Sequence, residues 1–129
     1  MPSDILALIA TIGLATAQLT LSSILTLRQL GGDWVLGPRE GVRPLTGLAG
    51  RIARAHANLL EIFPQFAAAL FAVHALGAQG QLCVIGAWTF FAARLAYVAA
   101  YAFGPPGVRP VCWVIAQISV FVIIADCFV

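Results

Sequence analysis

The sequence predicts an all-α integral membrane protein, a four-helix bundle in one domain covering residues 1–129. Three observations lead there. Only 9% of the residues are charged and 61% are hydrophobic, whereas soluble domains carry about 25% charged residues. At about 20 residues per crossing plus short connections, the chain has room for about four spans and no soluble domain beside them. The apolar runs are separated by glycine- and proline-rich breaks, LGGDW, GAQGQ and GPPGVRP.

The first span is expected over about 4–30. Ile5 to Leu27 carries no charge and follows Asp4 rather than basic residues, so it reads as a retained span and not a secretory signal. Gly31 and Gly32 end it, and a polar loop runs from Asp33 to about Leu48. The second span, about 48–76, contains Pro64 as an expected kink, tolerable where neighbouring helices re-satisfy the freed carbonyl. The third, about 82–103, carries Arg94 as its only charge. Its Ala92, Ala96 and Ala100 recur every four residues, a small-residue spacing that predicts close helix packing. The fourth spans about 110–128, with Asp126 near its end.

Arg28, Arg39, Arg43, Arg51 and Arg54 gather around the first loop and Arg109 at the third, while the termini and second loop have none. Positive-inside sorting therefore places both termini away from the cytoplasm. The net charge of +2 is too small and dispersed for a nucleic-acid surface. Cys83, Cys112 and Cys127 are odd in number and lack CxxC spacing, so neither a disulfide frame nor a metal site is expected. His56 and His74 read as structural or interfacial, and no metal-ligand spacing is present.

The stretch RIARAHANLLEIFPQF, residues 51–66, loads polar groups onto the start of the second span. At about 100° per residue, Arg51, Arg54, Asn58 and Glu61 share a sector of roughly 80°, with His56 on another side. Arg94, Tyr97 and Tyr101 share a sector of roughly 60° on the third span. Arg109, Trp113 and Gln117 follow one another at four-residue steps on the fourth. A charge at membrane depth costs about 2.5 to 3.5 kcal/mol, so these stripes should face each other or a shared wet cavity. Snorkelling of Arg51 and Arg54 to the interface is the simpler account of those two. Glu61, however, lies about 15 Å along the helix from Arg51, too deep to reach headgroups easily. An arginine-rich pocket with one carboxylate, an amide and phenols suits an anionic, peptide-like ligand, because guanidinium forks bind carboxylates bidentately.

These residues resemble the MAPEG family, the membrane-associated proteins of eicosanoid and glutathione metabolism. The resemblance rests on the R-x-x-R-A-x-x-N-x-x-E-x-x-P pattern from Arg51 to Pro64, on ARLAYVAAYAFG and on VRPVCWVIAQ, and in order it covers nearly the whole chain. It implies a homotrimer binding glutathione as co-substrate between neighbouring subunits, near the cytoplasmic face. By motif position it implies glutathione contacts from Arg51, Arg54, Asn58, Glu61, Tyr97 and Tyr101, and more loosely from Arg28. Arg109 falls where the family stabilises the glutathione thiolate. The implied activity is that of a transferase or peroxidase acting on hydrophobic electrophiles or lipid hydroperoxides reached through the membrane lipid, with no metal.

The chain departs from the prostaglandin synthases of that family. Pro110 follows Arg109 in place of a hydroxyl residue, Trp113 stands for tyrosine and Tyr97 for histidine, and the connecting loop is about one residue shorter, which disfavours prostaglandin isomerisation. Pro110 and Trp113 also motivate an alternative, a non-catalytic scaffold or binding module for an anionic lipid or small peptide. A transporter is the weakest reading, because four spans show no inverted repeats or broken-helix pairs.

Overall fold

A computed structural model describes all residues 1–129. It contains five α-helices: α1 (Ser3–Leu30), α2 (Gly32–Leu36), α3 (Gly47–Ala75), α4 (Gln81–Phe103) and α5 (Val108–Ala125), the last continued by a 3-10 turn over Asp126–Phe128. Four of these, counting Val108–Phe128 as one, are long and apolar enough to cross a membrane. The four alternate in direction. One end of the bundle therefore holds the first and third connections, and the other holds both termini and the turn at 77–80.

The apolar runs form helices because a spanning segment must satisfy its own backbone hydrogen bonds. Each stops where the sequence supplies a breaker. Gly31 takes φ 83°, and its N–H closes on Leu27 O. The expected loop from Asp33 instead opens with the short helix α2, since Gly32 starts a new turn rather than prolonging the stop. Helix α3 continues through Pro64, whose ring is exposed.

The core lies where α3, α4 and α5 meet, with α1 laid against α3 and α4. Phe66 of α3 and Phe90 of α4 stack in parallel, with centroids 4.0 Å apart and 1° between planes. Leu59, Leu70, Val73 and Ile123 close around them. The small residues that permit this approach are Gly86, Ala87, Ala93 and Ala100, all buried. The expected stripe is thereby corrected: Ala92 and Ala96 are exposed, because α4 turns the face of Phe90 and Arg94 inward.

Polar side chains tie the two ends. At the first-loop end, Gln29 Nε2 donates to Thr46 Oγ1 at 2.6 Å and Gln29 Oε1 accepts the Thr46 N–H, joining the end of α1 to the start of α3. At the opposite end, Asp126 Oδ2 accepts the backbone N–H groups of Gly80 at 2.9 Å and Cys83 at 2.6 Å. Asp126 thus caps α4, whose own N-cap residue, Gly80, has no side chain to do so.

Candidate functional site

Three helices place their polar stripes together toward the first-loop end. Arg94 of α4 is the deepest member, with no solvent exposure. Its Nη1 donates to Asn58 Oδ1 of α3 at 3.1 Å, and Asn58 Nδ2 in turn donates to Glu61 Oε2 at 3.2 Å. The amide therefore relays between cation and carboxylate, its oxygen turned to the guanidinium and its nitrogen to Glu61. The Arg94 guanidinium also lies 4.3 Å from the Tyr97 ring centroid, within cation–π range. Its Nε and Nη2 are buried without a hydrogen-bond partner. Buried donors are nearly always satisfied, so two orphans on one cation mark a place prepared for an acceptor.

A second group forms around Tyr101. Arg54 Nε donates to its hydroxyl at 3.0 Å, while Arg109 sets its guanidinium 4.5 Å from the ring centroid. The two tyrosine rings are 5.6 Å apart, inclined at 48°. Arg109 owes its position to Gly107, whose φ of 110° turns the chain into α5 in a conformation other residues rarely adopt. Tyr97, Tyr101, Arg109, Pro110 and Trp113 line an open cleft of about 340 Å³, inside the range of about 300 to 1,000 Å³ typical of small-molecule sites. Ala55 and Cys112 pack against Tyr97 behind it.

Of the residues singled out from the sequence, Arg54, Asn58, Glu61, Tyr97, Tyr101 and Arg109 thus join two linked clusters. Arg51 and Arg28 are exposed and make no side-chain hydrogen bond within the chain. Arg51 precedes Arg54 by one turn, and Arg28 sits beside the Gln29 tether at the same end of the bundle. Gln117, one turn beyond Trp113, leaves the cleft and lines an apolar crevice between α3 and α5 with Gln65. Arg94 stands at the centre; the sequence pointed to it only as the sole charge of its span and as a member of the stripe with Tyr97 and Tyr101, not as a buried hub.

The family model for MAPEG matches residues 6–129. The chain belongs to the MAPEG family. No curated protein matches it. In this MAPEG protein Arg54, Arg94 and Arg109 are the cations of the two clusters, Glu61 is their carboxylate, and Asn58 and Tyr101 add an amide and a phenol. The two free Arg94 N–H groups fit an anionic acceptor and would be left costly without one.

Proposed function

We propose that this MAPEG protein is a membrane glutathione-dependent transferase or peroxidase for hydrophobic electrophiles or lipid hydroperoxides. The observation that carries the reading is the convergence of Arg54 and Arg109 on Tyr101 at the rim of the cleft, next to the Arg94–Asn58–Glu61 relay. Arg51, Arg54, Asn58, Glu61, Tyr97 and Tyr101 hold glutathione, Arg28 adds a further cation, and Arg109 favours its thiolate. A free thiol has a pKa of about 8.5, and a fixed guanidinium lowers it by favouring the charged form where water is scarce. The thiolate sulfur then attacks an electrophilic carbon and displaces its leaving group, with the second substrate arriving from the lipid.

Arg51, Arg54 and Glu61 are exposed on the isolated bundle. On a membrane helix such charges need cover or water, which supports a homotrimer in which a neighbouring subunit closes the site. The arginines at this end support its placement near the cytoplasmic face, with both termini on the far side. The test is titration of the purified protein with glutathione at neutral pH, followed by calorimetry and by the ultraviolet absorption of thiolate. Saturable binding with thiolate absorption is expected, and binding without ionisation removes the catalytic reading.

Pro110 and Trp113 both wall the cleft, which favours a second reading as a non-catalytic binding module for an anionic lipid or small peptide. Under it, Arg109→Ala changes ligand affinity, and the wild-type protein shows no turnover of a generic electrophile.

A further inference from the structure

At the bundle end away from the arginines, three helices bring together a carboxylate, an imidazole and a thiol that the proposed chemistry does not use. Asp4 of α1 is 2% exposed. Its Oδ2 is 2.5 Å from His74 Nε2 of α3 and accepts the Cys83 thiol of α4 at 3.3 Å. All three potential ligand atoms lie within 4.8 Å of one another.

We infer that Asp4, His74 and Cys83 form a binding site for a zinc-type divalent metal ion. Tetrahedral zinc with ligands at about 2.0 to 2.3 Å sets its ligand atoms about 3.3 to 3.6 Å apart. The observed separations differ from that by little more than about an ångström, within the reach of side-chain rotation. The donor set is one that zinc favours, combining imidazole, thiolate and carboxylate. Charge balances too. With His74 neutral, Asp4 as carboxylate and the Cys83 thiol proton released, the +2 ion meets one carboxylate and one thiolate. The result is neutral, as a site at the edge of a membrane-embedded core requires.

The surroundings hold this geometry. Asp126 fixes the backbone N–H of Cys83, anchoring the turn that presents the thiol. Cys83 itself is fully buried, whereas the His74 side chain is 24% exposed, which gives the ion a way in and leaves room for a water as fourth ligand. The ligands come from α1, α3 and α4, so the ion would clamp the amino-terminal helix to the rest of the bundle.

The test uses the full chain, free of any histidine tag and purified without chelator, titrated with Co²⁺ as an optical substitute for zinc. One equivalent per chain is expected, with a thiolate-to-cobalt charge-transfer band. The band should vanish in Cys83→Ser, persist in Cys112→Ser and Cys127→Ser, and weaken with at least a tenfold loss of affinity in His74→Ala. Absence of the band in the wild-type protein, or its persistence in Cys83→Ser, overturns the assignment. X-ray absorption of the zinc-loaded wild-type protein decides the matter even if the variants fail to fold. One sulfur at about 2.3 Å supports the site, and a shell of nitrogen and oxygen alone overturns it.

Discussion

Arg94 and Asn58 join α4 to α3 through a single 3.1 Å hydrogen bond in which a fully buried cation donates to a neutral amide. The Arg94 charge has no direct carboxylate partner, since Glu61 reaches it only by way of Asn58. Such an arrangement does little for folding. It holds Asn58 and Glu61 in one orientation and leaves two buried N–H groups without a partner in the chain.

Arg94→Met should therefore separate stability from binding. Each unsatisfied buried donor costs about 1 to 3 kcal/mol, so an apolar side chain of similar length should leave thermal stability unchanged or raise it. Glutathione affinity should fall by about tenfold, equivalent to about 1.4 kcal/mol. Thermal unfolding and calorimetric titration in the same detergent read the two effects. A destabilised variant with unchanged affinity would assign Arg94 a structural role only.

Tyr101 receives Arg54 at its hydroxyl and Arg109 at its face, so two substitutions divide its contributions. Tyr101→Phe removes only the 3.0 Å hydrogen bond and should raise the KM for glutathione a few-fold, consistent with the about 0.5 to 1.5 kcal/mol net value of such a bond, with kcat preserved. Tyr101→Leu also removes the ring beneath Arg109 and should lower kcat. Equal effects of the two on kcat would mean that the ring does not position Arg109.

Much of this architecture is legible in the sequence because the spans differ so sharply from their breaks. Leu27 to Gly31 ends one helix and Gly104 to Gly107 separates two others, as the residue types require. The polar face was also readable, since α-helical periodicity alone puts Arg54, Asn58 and Glu61 on one side of α3. Periodicity gives no depth, however. It does not distinguish Arg94, wholly buried, from Arg51, which is exposed, nor show that Ala92 and Ala96 are exposed on the bundle surface. Contacts between distant segments left no local trace either: Asp4 meets His74 and Cys83 across 70 and 79 positions, and no spacing rule links them.

Arg109→Ala should change the pH dependence of turnover. Without a nearby guanidinium the thiol returns toward a pKa of about 8.5, at which only about 3% is thiolate at pH 7, so the neutral-pH rate should fall by up to about 30-fold. The cation favours the ionised form and lowers the thiol pKa, so the wild-type rate should reach its plateau at lower pH. The deficit of the variant should shrink as pH rises through 8.5. A pH-independent ratio between the two rates would show that Arg109 acts by some means other than thiol ionisation.

Gly86 reports on the α4–α5 contact that carries Arg109 toward Tyr101. A Cβ there would lie 2.7 Å from Ile123 Cγ1 and 2.9 Å from the Ser119 carbonyl oxygen. The Ile123 side chain can rotate aside, but the Ser119 carbonyl belongs to a helix and moves only with it. Overpacking of this kind costs about 1 to 3 kcal/mol, against a helix-propensity gain for alanine over glycine of about 1 kcal/mol. Gly86→Ala should accordingly lower the thermal midpoint. Gly13→Ala is the matched control, since a Cβ at Gly13 meets nothing within 4 Å and only the propensity gain remains. Opposite shifts of the two midpoints in one detergent are expected. If both rise, α4 and α5 do not approach as closely as the Gly86 geometry requires.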